Sequence, residues 1–305
     1  MQFKNTVAAL LAAASCVSLC HAQPTLEDEP KQPPEVQVKA VDPNVNVKPG
    51  PTLVKYDEQG NIVRYPETLE IAALKILDLT PEEKAKVDAV IAARNEKLDP
   101  IVRKNLNIVM RIQSIREEGL NQLVTNAIRE LGQVAPEFRN REEYRNAIGE
   151  ALGKAKGMQF RALISMHRQS WIAFHRNNAK AKGTQDSIAY WANYESHLTA
   201  GEDVRANLDR QISEVPTETL NNIRDLIVPS QGQLTIIGPA IDDFKKKVES
   251  NSVTPDDKVN LVRRIMQAQQ DDERKDLLTK LLPPPIEVMM PQDGSTPKPQ
   301  ETPSK

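Results

Sequence analysis

The chain has 305 residues, in which 40 Lys and Arg are set against 42 Asp and Glu for a formal net charge of −2. This balance excludes the usual nucleic-acid-binding classes, which need an excess of basic residues to contact phosphates. Aromatic residues make up only 4% of the chain. Because sheets favour aromatic and β-branched residues, the composition predicts an all-α protein.

The first 22 residues predict a secretory signal peptide. Lys4 supplies a positive charge, residues 7–19 are apolar, and Ala22 is a small residue at the predicted cleavage site. An alternative interpretation is a lipobox with Cys16 as the lipid-carrying residue. A Sec-type leader predicts export, and we expect the periplasm of a Gram-negative-type bacterium. Because Cys16 and Cys20 both lie in the leader, the mature chain would have no disulfide or cysteine-bound metal.

Proline-rich polar segments flank a helical body. Residues 23–65 and 283–305 are rich in Pro and poor in large apolar residues, so we expect a disordered linker and a disordered tail. Residues 66–282 form the predicted helical domain. No stretch after the leader has the roughly 20 apolar residues that a spanning helix needs, so the protein is predicted not to span a membrane.

Apolar residues at steps of three and four predict an elongated bundle of long antiparallel helices. The first helix is expected to begin at Thr80 and to continue to about residue 131, with a kink or break just before Pro100. The segment 229–239 is interpreted as a packed loop and as a sub-boundary of the domain. The remaining helices are predicted over 141–181, 185–212, 217–228, 240–249 and 255–282, with hairpin turns near 132–136 and Gly183.

Charge is divided between two adjacent segments. Residues 138–182 contain ten basic and three acidic residues, whereas residues 183–229 contain eight acidic and three basic ones. An antiparallel hairpin would place these segments against each other. The alternative is a basic face, including Arg161, Arg168 and Arg176, for an anionic envelope polymer or an acidic client protein.

Aromatic and histidine residues recur at helical spacing in the same two segments. The simplest interpretation is that both groups face each other across the hairpin as a core layer. The alternative is a metal site that uses His167, His175 or His197, although residues eight apart on one helix lie about 12 Å apart. The two groups are His167, Trp171 and His175, and Tyr190, Trp191, Tyr194 and His197.

Three glycines at a four-residue step, Gly149, Gly153 and Gly157, lie in the predicted helix 141–181. They predict either a close approach of another helix, in this chain or in a homodimer, or local flexibility. The sequence contains no nucleophile elbow, no His-Glu-x-x-His pair and no glycine-rich phosphate loop. We therefore expect a non-enzymatic protein without a cofactor.

Two elements of the form Thr-Pro-acid-acid-Lys have the residues of a helix start. Thr caps with its hydroxyl, Pro fits the first helical position, and the second acid can close a capping box. In the first element these residues are Thr80, Pro81 and Glu83, and in the second they are Thr254, Pro255 and Asp257.

The first element also resembles a known family. "LTPEEKAKV" from Leu79 is similar to the Leu-Thr-x-x-Gln element of the periplasmic Spy/CpxP-like helical proteins, although neither of the two elements in this chain contains the Gln. Residues 77–105 also look like exported proteins of planctomycete-type bacteria whose function is not known. The first resemblance implies a helical fold with a chaperone-like, envelope-stress or metal-responsive role.

These observations predict an exported, non-enzymatic helical binding or scaffold protein with a protein partner or client. The resemblance adds a chaperone-like or envelope-stress role to that expectation. Two alternatives stay open: a metal-responsive envelope protein that uses the three histidines, and an enzyme of a type that the motifs do not reveal.

Overall fold

The computed structural model describes residues 51–113 and 122–282, and this part of the chain is all-α, as the composition predicts. The predicted leader with Cys16, the linker up to residue 50 and the tail 283–305 lie outside the described residues. Two 3₁₀ turns cover Pro136–Phe138 and Ile223–Leu226. The helices are α1 Leu69–Ile76, α2 Pro81–Lys104, α3 Leu106–Gln113, α4 Gln122–Val134, α5 Glu142–Ala151, α6 Gly153–Ala181, α7 Ile188–Glu214, α8 Thr217–Asn221, α9 Gln231–Glu249, α10 Pro255–Gln267 and α11 Asp271–Leu281.

The segment 51–65 is ordered, so the linker prediction is wrong for these residues. Tyr56 and Ile62 form an antiparallel bridge across a turn in which Gly60 has φ 79°. Leu53 is fully buried, and its carbonyl accepts a 2.7 Å hydrogen bond from the Tyr65 hydroxyl. A few apolar residues therefore anchor a segment whose composition resembles that of a linker.

Helix α2 does not break before Pro100, contrary to the prediction. It continues through the proline to Lys104, and α3 begins after Asn105. The Asn105 side chain donates a 2.7 Å hydrogen bond to the Ile101 carbonyl, and its backbone N–H also bonds to Ile101 and Val102. The break is therefore located at the Asn, whose side chain competes for backbone groups.

The predicted helix 141–181 is two helices. Gly153 adopts φ 73°, a left-handed conformation that glycine permits, and the chain turns there between α5 and α6. The turn brings Gly157 onto Gly149, so closely that a Cβ on Gly157 would lie 2.2 Å from the Gly149 carbonyl oxygen. The predicted close approach is therefore confirmed, and it is made within one chain.

The segment 229–239 is not a packed loop, because most of it is helical. Ser230 and Gln233 form a capping box that starts α9, and the helix contains Pro239. A second unexpected capping box, between Gln270 and Glu273, divides the predicted helix 255–282 into α10 and α11. Both errors have one cause: polar residues that cap helices were interpreted as a loop or as helix interior.

Helix α7 lies at the centre of the described structure. It packs against α2, α3, α6 and α10, and most of its residues between 195 and 212 are buried. The acidic segment does lie against the basic one in the α6–α7 hairpin, as predicted, with a turn at Gly183. None of the helices in 51–113 and 122–282 is long and apolar enough to cross a membrane.

Two hydrophobic clusters form the core. The large cluster surrounds α7 and includes residues of α3, α4 and α8–α11. The small cluster is built from Leu53, α1, the start of α2, α5 and the first half of α6. Polar residues lie where the elements of the two clusters meet.

Candidate functional site

Five charged side chains connect the elements of the small cluster to α7, and we call them the charged junction. They are Glu70 of α1, Arg94 of α2, Arg141 just before α5, Arg145 of α5 and Asp203 of α7. Their side chains are between 0% and 11% exposed to solvent. Charged residues are rarely buried to this extent unless they are paired.

The pairing in the charged junction is complete for both carboxylates. Glu70 accepts hydrogen bonds from Nε and Nη2 of Arg141, at 3.1 and 2.5 Å, and from Nε of Arg145 at 2.8 Å. Asp203 is bonded to Arg94 through both oxygens, and Nη1 of Arg141 lies 2.9 Å from it. Arg141 thus bridges two carboxylates from different helices.

These contacts fix the protonation states of the junction. Burial alone would raise the pKa of Glu70, but the charges of Arg141 and Arg145 outweigh it and lower the pKa to about 2. Burial also raises the pKa of Tyr144 to about 12. The guanidinium of Arg94 lies 4.5 Å from the centre of the Tyr144 ring, in cation–π geometry. Near neutral pH, Glu70 is therefore ionised and Tyr144 is neutral.

A cavity of about 140 Å³ borders the junction, and we call it the arginine pocket. Four arginines and two glutamates line it together with smaller polar residues. Arg168 pairs with Glu195 at 2.8 Å, and the Thr199 hydroxyl donates to the same carboxylate at 3.0 Å. The lining residues are Arg139, Asn140, Arg141, Glu142, Arg145, Arg168, Glu195, Ser196 and Thr199.

Arg139 differs from the other arginines of the pocket. Its aliphatic stem packs over Gly132 of α4, where a Cβ would lie 2.3 Å from the Arg139 Cδ. Its guanidinium makes no ion pair with any residue in the described ranges. Arg139 is therefore an exposed positive charge held at the edge of the pocket by its stem.

The structure does not bring the three candidate metal-binding histidines together. The His167 ring contacts Tyr65 with centroids 5.8 Å apart, the His175 ring is tilted against Trp171 with centroids 4.0 Å apart, and Nδ1 of His197 lies 2.7 Å from the Asn193 carbonyl. Across residues 51–113 and 122–282, no three His, Cys, Asp or Glu side chains are grouped as metal ligands.

His167 has an unusual environment. It is 5% exposed, and neither ring nitrogen has a partner in hydrogen-bonding geometry. Burial lowers the pKa of His167, and the nearby Val63 backbone partly opposes this shift. The ring borders a second cavity of about 20 Å³, which shares Glu195 and Thr199 with the arginine pocket.

The predicted basic face is used largely within the chain. Arg161 donates to Asn146 at 3.2 Å, Arg168 pairs with Glu195, and Arg176 donates to the Asp186 carbonyl at 2.9 Å. Only Arg168 of these three lines the arginine pocket.

The predicted aromatic layer is confirmed, with Trp171 stacked on Tyr194 at 6.0 Å and His175 on Trp191 at 5.4 Å. His167 and His197 lie outside these ring contacts.

Both predicted capping elements form capping boxes. Thr80 pairs with Glu83 at the start of α2, and Pro81 lies in the first turn. Thr254 pairs in the same way with Asp257 at the start of α10, and Pro255 lies in the first turn. Each acid has a second partner on another helix: Glu83 binds Lys156 at 2.5 Å and Asp257 binds Lys247 at 2.7 Å. The caps therefore also tie α2 to α6 and α10 to α9.

The sequence interpretation missed the charged junction. One local signal was available, since Glu70 stands between Leu69 and Ile71 in the largely apolar helix "LEIAALKI". An acid among apolar residues indicates a buried partner, but it does not identify the arginine.

Comparison with protein-family models, with curated proteins and with solved structures finds no match for this chain. The resemblance of residues 77–91 to the Spy/CpxP-like proteins therefore stays a prediction.

Proposed function

We propose that this chain is an exported, non-enzymatic binding protein whose helical scaffold presents fixed positive charge to an acidic segment of a protein partner. The observation that supports the proposal is the charged junction. Its carboxylates are committed to arginines, and the pKa of Glu70 is about 2. General acid–base catalysis needs a group whose pKa is close to the working pH. A group with a pKa of about 2 therefore neither donates nor accepts a proton efficiently near neutral pH.

The same groups are well suited to binding. Arg141 and Arg145 are held by Glu70 in one orientation, so little side-chain freedom is lost when a ligand contacts them. Arginine also recognises carboxylates and phosphates through parallel hydrogen bonds. A buried network that fixes arginines at the wall of a cavity therefore supports recognition of an anionic group.

Export belongs to the proposal because of the predicted leader. The chaperone-like and envelope-stress roles stay predictions that follow from the family resemblance, and no feature of the described residues favours them. The metal-responsive alternative has no support from the positions of His167, His175 and His197.

Fluorescence anisotropy with labelled polyglutamate tests the proposal, and polylysine of equal length is the control. We expect the protein to bind polyglutamate at low salt, to lose affinity as salt screens the charges, and not to bind polylysine. Replacing both Arg139 and Arg168 by Gln should weaken polyglutamate binding by about tenfold or more, because one or two charge-assisted hydrogen bonds would be lost.

Arg224→Gln is the matched control, because Arg224 is exposed on the 3₁₀ turn Ile223–Leu226 and does not line the arginine pocket. This variant makes the same type of charge change away from the proposed site. Equal losses in the control and in the pocket variant, or no polyglutamate binding at low salt, would contradict the proposal. Binding to a phosphate-rich polymer but not to polyglutamate would instead indicate an envelope polymer as the partner.

A further inference from the structure

We infer that the arginine pocket binds one oxyanion, the carboxylate or phosphate group of the partner. This inference rests on the proposed function, since it names the chemical group that the fixed positive charge would receive.

The charges of the five junction residues do not balance one another. Arg94, Arg141 and Arg145 contribute three positive charges, and Glu70 and Asp203 contribute two negative ones. One positive charge is therefore left in a region that is almost closed to solvent. A buried charge without a counter-charge is strongly destabilising, so an anion in the adjoining cavity would complete the network.

The cavity also has unused donors. Arg145 bonds to Glu70 through Nε, and its two Nη atoms have no acceptor among the residues that the structure describes. The side chain is 10% exposed and lines the pocket. The exposed guanidinium of Arg139 stands at the same cavity. Two guanidinium groups are thus available to an oxyanion.

The start of α5 adds to this field. Asn140, Arg141 and Glu142 line the pocket, and Arg141 in the N-cap position makes no side-chain capping hydrogen bond. The amino end of this ten-residue helix carries partial positive charge. A helix start alone does not define a site, but here its partial positive charge adds to the positive charge of the arginines.

The two glutamates of the wall limit the charge of the ligand. The charge of Glu195 is neutralised by Arg168, and Thr199 donates a hydrogen bond to its carboxylate. Glu142 lies at the exposed start of α5 without an ion pair in the described part of the chain. The volume of about 140 Å³ leaves room for a single carboxylate or phosphate group.

Isothermal titration calorimetry of the mature chain with inorganic phosphate and with acetate, at constant ionic strength in chloride, tests the inference. We expect saturable binding of one anion per chain. The stronger of the two ligands identifies the source, since phosphate indicates a phosphorylated group and acetate a carboxylate. Arg139→Gln should weaken binding about tenfold, which corresponds to the loss of one charge-assisted hydrogen bond, whereas Arg224→Gln should change it less than about twofold.

Arg168→Gln provides a second variant, because it leaves Glu195 as an unpaired acid in the wall and should weaken binding more than Arg139→Gln. Circular dichroism shows whether each variant is folded, and Arg139→Gln decides the outcome if Arg168→Gln unfolds, since Arg139 is exposed. The inference is overturned if neither anion binds, or if Arg139→Gln and Arg224→Gln behave alike. Polyglutamate binding without binding of the small anions overturns only the pocket, whereas the absence of both also removes the proposed function.

Discussion

The charged junction and the aromatic layer join helices of the same body by opposite means. The junction uses arginines and carboxylates that are almost closed to solvent. The aromatic layer, formed by Trp171, His175, Trp191 and Tyr194, uses ring contacts with centroids 4.0 to 6.1 Å apart.

Substitutions in the charged junction and in the aromatic layer should therefore reduce the stability of the protein in different ways. Each charge of the junction needs a particular partner, because an unpaired buried charge is strongly unfavourable. Ring contacts depend on area and shape, and a smaller apolar side chain keeps part of both. The junction should therefore lose its stabilisation abruptly, and the aromatic layer should lose it by degrees.

Glu70→Gln should produce the largest effect. The amide keeps the shape of the side chain but leaves Arg141 and Arg145 without the carboxylate that both contact. We expect the free energy of unfolding to fall by about 3–5 kcal/mol, measured by urea denaturation at neutral pH. Glu96→Gln, at an exposed position of α2, is the control and should change it by less than about 0.5 kcal/mol.

Acid should remove the same contribution from the natural protein. The pKa of Glu70 in the folded state, about 2, is below its ordinary value of 4.5, so the unfolded chain binds a proton first as the pH falls. The stabilisation is therefore complete above pH 4.5 and is lost progressively between pH 4.5 and about 2. Glu70→Gln should show a shallower loss in this window, and equal slopes for both proteins would contradict the role of Glu70.

Gly157→Ala should have the next largest effect, because it disturbs the α5–α6 contact beside the junction. The new Cβ would meet the Gly149 carbonyl oxygen at 2.2 Å, and this backbone atom cannot move aside like a side chain. We expect a loss of about 3 kcal/mol in the free energy of unfolding.

Gly238→Ala is the matched control for that prediction. Gly238 lies inside α9, and a Cβ there would meet no atom within 4 Å apart from its chain neighbours and its own helix. The same substitution should change the free energy of unfolding by less than about 1 kcal/mol, since the lower backbone entropy cost of Ala is offset by the crowding of its Cβ against Pro239. If both variants were stabilised, the close contact between α5 and α6 would be wrong.

Trp171→Leu should have a smaller effect in the aromatic layer. Trp171 is 4% exposed and contacts Trp191 and Tyr194, but Leu retains part of the buried area. A loss of about 2 kcal/mol is expected in thermal or urea unfolding. Tyr190→Leu, at a position that is 45% exposed, should lose less than about 1 kcal/mol. A loss for Trp171→Leu as large as that for Glu70→Gln would contradict the distinction between the two contacts.

Local patterns predicted the features that depend on neighbouring residues. The capping box at Thr80 is formed with Glu83, three residues away, and the aromatic layer follows from four-residue steps along α6 and α7. The turn at Gly183 was also predictable, because a glycine there ends one apolar pattern before another begins.

The charged junction could not be predicted in the same way. Glu70 and Arg141 are 71 residues apart, and Arg94 and Asp203 are 109 residues apart. Helical periodicity reports only on residues within a few turns, and many arginines of this chain could have been the partner of Glu70. Gly153 was missed for another reason: its four-residue spacing fits a continuous helix, whereas its positive φ makes it a turn.

The smallest expected effect lies at His167, whose ring touches Tyr65 and borders a cavity with Glu195, Arg64 and Glu202. Burial lowers the pKa of His167 below its ordinary value of 6.5, so the unfolded chain takes up the proton first. The contribution of this residue to stability is therefore present above pH 6.5 and is lost as the pH falls below that value towards the folded pKa. The charge of Glu195 would partly compensate the new positive charge while that of Arg64 would oppose it, which keeps the change small. Urea denaturation between pH 7.5 and 5, above the pH range in which Glu70 titrates, should show this slope in the natural protein and a reduced slope in His167→Phe.

His175→Phe is the necessary control, because burial also lowers the pKa of His175. If only the His175 variant flattened the profile, the pH response would belong to the aromatic layer and not to the cavity that His167 borders.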